Sequence, residues 1–174
     1  SSILTDANID IGTRQQCNEI IQQNSDLLLK LIDDVVDLSS LEIGKMQFQF
    51  GNSDAVAICR NVVDTVEKIK QTSATVLFQT SQEKMEIYTD EARLQQLLIN
   101  LLINATKCTT EGGITLLLEK ESEEMTVFSV TDTGCGIAPE KQGQIFNRFE
   151  KLNENAQGSG LGLSICQLIV ERFG

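Results

Sequence analysis

The fold of this chain is decided by the stretch Asn100-Leu-Leu-Ile-Asn-Ala-Thr-Lys107. It lies in a segment whose apolar periodicity predicts a helix from Asp90 to Thr109. Spacings of four and seven residues place Asn100, Asn104 and Lys107 on one face of that helix. The packing around them is supplied by Leu94, Leu97, Leu98, Leu101, Leu102 and Ala105.

Two amide side chains and one ammonium group beside an apolar wall suit a polyphosphate that carries magnesium. Magnesium prefers hard oxygen ligands and keeps several waters, so one amide oxygen from the protein can suffice. Lysine adds a point charge for phosphate oxygens. The stripe alone is equally compatible with two solvated amides on a surface helix, and further motifs are needed to choose.

Length and charge narrow the class of protein. The chain has 174 residues, enough for one domain with or without an appendage, and 41% of them are hydrophobic. A net charge of −11, from 14 basic and 25 acidic residues, argues against a general nucleic-acid binder because a phosphate backbone would be repelled. An ATP site is still allowed, since a metal ion and a few local cations neutralise its phosphates.

No stretch approaches the ~20 apolar residues that span a bilayer, and no signal peptide is visible. The start, Ser1-Ser2-Ile3-Leu4, resembles the interior of a longer sequence. We therefore expect a cytoplasmic protein, or the cytoplasmic portion of a membrane-anchored one.

The cysteines favour a reducing compartment over a metal site. Five are present, scattered at Cys17, Cys59, Cys108, Cys135 and Cys166, and the chain has no histidine. Without a Cys-x-x-Cys pair or a histidine, a zinc site is not expected. We interpret the cysteines as reduced and mostly packed thiols. A Ser-His or Cys-His nucleophilic mechanism within this chain is excluded.

The first part of the chain, 1–45, is predicted to be a partial helical dimerisation region. Residues 13–42 form one long helix with a heptad-like apolar stripe, and Gly12 ends a turn that follows an antiparallel helix over 1–9. So much apolar surface implies pairing with a second copy. The alternative is a helix that packs on its own chain. The stripe and its second flank comprise Ile21, Leu28, Leu31, Val35 and Leu38, with Asn24 as the polar exception, and Ile20, Leu27 and Ile32.

The second part, 46–174, follows a hinge at 42–45 and is predicted to be an α+β two-layer α/β sandwich, a mixed sheet with helices on one face. Glycine and short polar turns separate its elements. The predicted strands are Met46–Phe50, Thr75–Gln79, Glu86–Tyr88, Ile114–Glu121 and Met125–Thr131, and the remaining helices are Asp54–Gln71 and Leu161–Arg172.

A first glycine loop follows the last strand. Asp132 ends that strand and leads into Gly134, Gly136 and Ile137. Glycines let the backbone approach a flat ligand closely, and an aspartate at this point can accept a hydrogen bond from an adenine amino group. A common Asp-capped turn is the alternative interpretation.

A second glycine loop, Gly158-Ser-Gly-Leu-Gly-Leu163, opens the last helix. Backbone N–H groups at a helix start bind anions, and glycines leave room for phosphate oxygens. The spacing is neither a dinucleotide fingerprint nor a P-loop. Between the two loops, a polar segment that includes 152–157 is expected to be a mobile lid. From it, Arg148 and Lys151 would reach the terminal phosphates or remain solvated cations.

The order of these motifs, rather than any one of them, resembles the GHKL ATP-binding (Bergerat) fold, and in detail the catalytic domain of bacterial sensor histidine kinases. The resemblance runs from about Ser53 to the end, and 34–45 are similar to the second helix of that family's dimerisation hairpin. It implies ATP and Mg²⁺ as ligands, with Asn104 holding the metal. The implied ATP-binding residues are Asn100, Asn104, Lys107, Asp132, Gly134, Gly136, Ile137, Arg148, Phe149, Lys151, Gly158, Ser159, Gly160, Leu161, Gly162 and Leu163.

The resemblance also separates transfer from hydrolysis. Relatives that hydrolyse ATP carry a glutamate where this chain has Asn100, and an amide cannot take a proton from water near neutral pH. The γ-phosphoryl group is then expected to pass to a histidine outside this sequence, and from there to the aspartate of a response regulator. The acceptor histidine and its neighbouring base are absent here, as are one or two final strands, so we interpret the chain as a fragment of a homodimeric kinase. Two alternatives stay open: a nucleotide-binding interaction module, and a degenerate member without kinase activity.

Overall fold

The computed structural model describes residues 11–122, 125–150 and 159–173. A long helix is followed by a mixed α/β unit. The elements are α1 (Ile11–Glu42), β1 (Gly51–Asp54), α2 (Ala55–Ile69), β2 (Thr75–Thr80), β3 (Glu86–Thr89), α3 (Glu91–Cys108), β4 (Gly113–Lys120), β5 (Thr126–Asp132), α4 (Pro139–Gln142) and α5 (Gly162–Phe173). No helix within these ranges has the length and apolar character needed to cross a membrane.

The sheet confirms the predicted mixed topology. β2 pairs in parallel with β4, and β4 pairs antiparallel with β5, in the order β2-β4-β5. β1 and β3 form a separate antiparallel pair. Alternate residues of β4 (Ile114, Leu116 and Leu118) are fully buried, as expected for a strand with one covered face. This face forms the core together with α2, α3 and α5. The core fixes the positions of α3 and α5, whose ends lie at the candidate site.

One predicted strand is wrong. Residues 46–50 belong to no strand, and the first ladder begins at Gly51. The Gln49 N–H donates to the side chain of Asp90 at 2.7 Å instead of to a neighbouring strand. The alternating apolar residues serve ring packing, because Phe48 lies 5.9 Å from both Phe50 and Phe173 between ring centroids. The alternation of apolar and polar residues over 46–50 therefore reflects an extended segment that is buried on one side and pairs with no strand.

Helix α1 confirms the long predicted helix but begins earlier than expected. It already includes Gly12, which was predicted to end a turn. Glycine is tolerated there because first-turn N–H groups have no intrahelical partner in any case. The expectation for 1–9 lies outside the described residues. At the other end, Gly44 adopts φ +67° and its N–H bonds the Leu41 carbonyl, a left-handed cap that ends the helix.

The apolar residues of α1 divide into two groups. Leu38 and Leu41 are 6% and 1% exposed and belong to the core, where α1 packs on α5. The guanidinium of Arg172 in α5 also donates to the Leu41 carbonyl at 3.1 Å. The residues nearer the start are exposed: Ile20, Ile21, Leu28, Leu29, Ile32, Val35 and Val36. Packing on its own chain therefore holds for the last part of α1, and pairing with a second copy stays a prediction for the exposed part.

Candidate nucleotide site

Helix α3 fixes the orientation of the predicted metal-binding amide. Its start is capped by Asp90, whose carboxylate accepts the Arg93 N–H at 3.1 Å. One face is buried in the core through Leu98 and Leu102, both 0% exposed. Burial of that face sets the rotation of the helix, so Asn100 and Asn104 lie half-buried at its edge. Lys107, in the last turn, is exposed.

The start of α5 meets these two amides. A methyl group built on Gly162 would lie 3.8 Å from Asn100 Cγ and 3.9 Å from Asn104 Nδ2. The second glycine loop thus comes directly against the Asn-x-x-x-Asn face. A helix start with free N–H groups beside two amides is an environment that fits phosphate oxygens and one magnesium ion.

Gly160 is required by the shape of this loop. Its φ is +71°, and a Cβ there would lie 2.8 Å from the Phe149 carbonyl carbon. The Phe149 N–H donates to the Gly160 carbonyl at 2.9 Å, and Phe149 itself has φ +60°. Leu161 next to it is 0% exposed and anchors the loop in the core, whereas Leu163 is half-buried.

The first glycine loop lies on the end of α3. Asp132 Oδ1 accepts the Gly134 N–H at 2.8 Å, and the hydroxyl of buried Thr109 approaches the same oxygen at 3.4 Å. A Cβ on Gly134 would fall 2.4 Å from the Cys108 carbonyl oxygen, so only glycine fits. The carboxylate is therefore oriented by its own loop and remains exposed to a ligand.

The end of the first loop is open. Gly136 has φ +67°, and a Cβ added there would meet no heavy atom within 4 Å, so the reason for glycine is backbone conformation alone. Ile137 is half-buried, and its carbonyl accepts the Gln142 side-chain N–H at 3.1 Å. Gln142 belongs to α4, a short helix that the sequence patterns did not predict.

The Cys166 thiol lies next to the Asn100 side chain. Burial raises the pKa of the Cys166 thiol to about 11, and a hydrogen bond with the Asn100 side chain acts in the opposite direction. The Cys166 sulfur also lies 3.7 Å from the Leu97 carbonyl. The thiol therefore stays protonated near neutral pH and packs beneath the site without reacting.

Helix α1 reaches the phosphate loop, which sequence reasoning missed. The Ser159 hydroxyl donates to Asp34 Oδ2 at 2.6 Å, both residues are buried, and the same hydroxyl accepts the Leu161 N–H at 3.2 Å. A groove of about 750 Å³ separates α1 from α3, with Asp33 and Asp37 on one wall and Asn100 on the other. Asp34 lay within the segment that resembled a dimerisation helix, but its contact spans 125 positions and left no local signal.

Two further contacts join α1 to α3 and to one predicted nucleotide residue. Gln96, one turn before Asn100, donates to Asp37 Oδ2 at 2.6 Å and accepts from Arg93 at 2.7 Å. Its position on the stripe is thereby explained by α1. Arg148, a predicted phosphate contact, forms an ion pair with Glu42 at the end of α1. The other predicted contacts from this region, Lys151 and Gly158, and the predicted lid over 152–157 lie outside the described residues.

The cysteine expectation is only half right. Cys59 and Cys166 are buried, as expected for packed thiols, but Cys108 and Cys135 are exposed and Cys17 is intermediate. The two exposed thiols belong to the end of α3 and to the first glycine loop. Helix periodicity could place Cys108 near the end of its helix, but not beside a loop residue.

Comparisons with known proteins identify the family of this fold. Residues 89–174 match the family of histidine kinase-, DNA gyrase B- and HSP90-like ATPases. The chain is 32% identical over 161 residues to the circadian input-output histidine kinase CikA of Synechococcus elongatus, covering 88% of this chain and 21% of that protein. The chain thus spans about a fifth of the length of that relative.

Solved structures extend the likeness beyond the family match. Full-length ShkA in complex with AMPPNP superposes with a TM-score of 0.78 at 27% identity, covering 97% of this chain and 36% of ShkA. ThkA in complex with the response regulator TrrA gives 0.74 at 26%, covering 98% and 48%. The catalytic domain of ThkA alone gives 0.62 at 30% identity, covering 72% of this chain and 82% of that domain. The chain belongs to the GHKL family of ATP-binding domains, and within it to the sensor histidine kinases.

Proposed function

We propose that this chain is the ATP-binding catalytic core of a sensor histidine kinase, which transfers the γ-phosphoryl group of ATP to a histidine outside this sequence. The observation that carries the proposal is the meeting of Gly162 with Asn100 and Asn104, less than 4 Å from where its side chain would be. Asp132 lies on the loop that packs on the other end of the same helix. One helix, α3, thus links a phosphate region with an adenine region.

Each residue of the site has a distinct role in this proposal. Asp132, whose Oδ1 already accepts one backbone N–H, receives the adenine amino group. Asn104 supplies one amide oxygen to Mg²⁺, and Asn100 and Lys107 bind phosphate oxygens. Bound Mg²⁺ would neutralise phosphate charge and orient the chain of phosphates. The start of α5 adds backbone N–H groups, so positioning and charge neutralisation account for most of the catalysis.

The identity of residue 100 favours transfer over hydrolysis. An amide has no basic group to activate water, and the Asn100 side chain is hydrogen-bonded to a protonated thiol. Slow hydrolysis preserves the γ-phosphoryl group until an external nucleophile arrives. We propose that this nucleophile is a histidine in a part of the protein outside the present sequence, followed by relay to a response regulator. The complex of ThkA with TrrA supports a partner of that class.

The exposed apolar residues of α1 support a homodimer formed through this helix. Among the described residues, seven large apolar side chains between Ile20 and Val36 are more than 40% exposed. Their repeat of three and four residues suits a helical bundle with another copy of the chain. Asp34, Leu38 and Leu41 are not available for that contact because they are buried within one chain.

A second candidate function is a nucleotide-binding interaction module without transfer. It is favoured by the contacts of Asp34 with Ser159 and of Glu42 with Arg148, in which acidic residues of α1 already engage predicted phosphate-binding residues. In such a module, nucleotide would change the position of α1 and transfer nothing. Both candidates require the same ATP site.

Calorimetry with ATP tests the shared site. We expect Asn104→Ala to remove magnesium-dependent binding and Asp132→Ala to weaken binding about 10- to 100-fold, because a hydrogen bond to a charged group contributes about 1.5–3 kcal/mol. Asn61→Ala, on the exposed face of α2, is the matched control and should leave affinity unchanged. Unchanged affinity in both site variants would refute the assignment.

A transfer assay separates the two candidates. This chain is mixed with labelled ATP and a fragment that carries the histidine-bearing helix of the same protein. Acid-labile, base-stable label on that fragment supports the kinase. Intact ATP binding with no label on the fragment favours the interaction module.

A further inference from the structure

Cys108 and Cys135 are brought together by the fold although they are far apart in sequence. Cys108 is the last residue of α3, and Cys135 lies between the two glycines of the first loop. The Cys135 N–H donates to the Cys108 carbonyl at 3.2 Å. After partial burial, the neighbouring Cys135 thiol is the main cause that raises the pKa of Cys108, so the two side chains lie near each other, and both residues are exposed. A pair of neighbouring accessible thiols is a different chemical environment from a single cysteine.

The two buried cysteines, Cys59 and Cys166, differ from this pair in accessibility. Burial raises the pKa of Cys59 to about 12 and that of Cys166 to about 11, so both remain protonated and inaccessible. The pKa of Cys108 is raised by partial burial and by the charge and hydrogen bond of Cys135, while Lys107 opposes the shift. Because the two thiols are neighbours, a thiolate formed at one of them has the other thiol beside it.

The backbone around the pair is positioned for a crosslink. Disulfides need Cα atoms within about 4.4–6.8 Å and side chains directed toward each other. A direct backbone hydrogen bond at 3.2 Å between the two residues keeps their Cα atoms close, and the Cys135 thiol lies near enough to that of Cys108 to raise its pKa. Gly134 holds the loop against the end of α3, since a Cβ there would overlap the Cys108 carbonyl. Bond formation therefore needs little movement of the chain.

We propose that Cys108 and Cys135 form a thiol–disulfide site that a small-molecule disulfide oxidises to an intramolecular bond. One thiolate attacks the small disulfide, forms a mixed disulfide and releases one thiol. The second cysteine attacks the protein sulfur of that intermediate, forms the Cys108–Cys135 bond and releases the second thiol. Two protein thiols are oxidised, the small disulfide is reduced to two thiols, and an added dithiol reverses the reaction.

The site goes beyond the proposed function because it requires no nucleotide. Its position three residues after Asp132 nevertheless means that the bond would tie the adenine loop to α3. The loop closed by the bond is long, so the crosslink restricts the unfolded chain and stabilises the folded protein. A test that uses no nucleotide keeps this inference independent of the ATP assignment.

The experiment treats the purified chain with oxidised glutathione and maps peptides by mass spectrometry without reduction. We expect one peptide pair joined between Cys108 and Cys135, with no glutathione retained at either position. The Cys108→Ser and Cys135→Ser variants should each instead retain a mixed disulfide at the remaining cysteine. A wild-type protein that keeps both thiols free, or carries glutathione on both, would overturn the proposal.

Thermal unfolding supplies a second readout. The oxidised wild type is expected to unfold roughly 5–10 °C above the reduced wild type, and the serine variants should show no such rise. Cys17→Ser is the matched control and should behave like the wild type, because Cys17 lies on α1 away from the pair. A crosslinked protein with an unchanged or lower Tm would contradict the unstrained geometry on which the proposal depends.

Discussion

The two glycine loops of the site look alike in sequence but are supported by different parts of the molecule. The first glycine loop, 132–137, which we propose binds adenine and name the adenine loop, is held by its own residues and by α3: Asp132 accepts the Gly134 N–H, and the Cys135 N–H donates to the Cys108 carbonyl. The described part of the phosphate loop, 159–162, is held by α1 through the buried bond from Ser159 to Asp34. One loop is thus held by α3 alone, while the other has a support from α1 in addition to the buried Leu161.

The difference indicates how nucleotide binding and the position of α1 can be coupled. A loop supported by its own helix keeps its shape wherever α1 lies. A loop supported by α1 changes when that helix moves, because a buried hydroxyl and a buried carboxylate then lose their partners. The phosphate end of the site is therefore the end that can respond to movements in the rest of the protein.

The largest expected effect breaks the adenine loop. Gly134→Ala places a methyl group 2.4 Å from the Cys108 carbonyl, so the loop or the end of α3 must shift. We expect the free energy of unfolding to fall by about 2–4 kcal/mol, measured by urea denaturation. Gly143→Ala is the control, because its φ is −68° and nothing lies within 4 Å. Equal stability of the two variants would mean that the close approach is not rigid.

The next largest effect is expected from a substitution that should affect the phosphate loop but not the adenine loop. Asp34→Ala removes the acceptor of the Ser159 hydroxyl, a hydrogen bond to a charged group that contributes about 1.5–3 kcal/mol. Hydrogen exchange at Gly160 and Leu161 should accelerate, while exchange at Gly134 stays as in the wild type. Asp33→Ala makes the same charge change at an exposed position and should alter neither loop. Equal acceleration in both loops would remove the distinction between them.

A smaller effect is expected from a substitution that should affect only the adenine loop. Thr109→Val keeps the shape of a fully buried residue but removes the hydroxyl beside Asp132 Oδ1. The expected loss of unfolding free energy is about 0.5–1.5 kcal/mol, with faster exchange at Gly134 and no change in the phosphate loop. Thr110→Val, at an exposed neighbouring position, is the control. Accelerated exchange in the phosphate loop would show that both loops share one support.

The smallest effect concerns the surface contact between α1 and the predicted lid region. Glu42→Gln removes the ion pair with Arg148, whose side chains are 40% and 46% exposed. Exposed pairs contribute about 0–1 kcal/mol and weaken with salt, so thermal unfolding should change little and less at high ionic strength. Glu19→Gln, exposed elsewhere on α1, is the control. A larger change than that of Asp34→Ala would reverse the order of the two contacts.

The helices were predictable because their signals are local. Apolar residues at spacings of three and four define α2 and α3, and Asp54 and Asp90 mark their starts as side-chain caps. The bounds of both helices agree with the prediction to within two residues. Residues 46–50 show where local reasoning fails, because alternation reports burial on one side but not the presence of a partner strand.

The candidate site likewise contains residues that local sequence patterns identify and residues that such patterns miss. Glycine spacing and the Asn-x-x-x-Asn repeat drew attention to both segments, and the structure places Gly162 beside both amides. The roles of Asp34, Gln96 and Thr109 were not predictable, because each depends on a partner more than twenty positions away. No composition or periodicity distinguishes a carboxylate that will be buried against a serine from its exposed neighbour.

The sequence by itself determined the helices, their caps, the two glycine loops and the family, because these depend on residue type and on spacing along the chain. Tertiary structure alone decided which loop is self-supported and which is held by α1. It also decided that two of the five scattered cysteines become neighbours. Both outcomes follow from the packing of segments that are distant in sequence. Burial of one face of a helix fixes the rotation of that helix about its axis, and this rotation decides which residues its other faces contact.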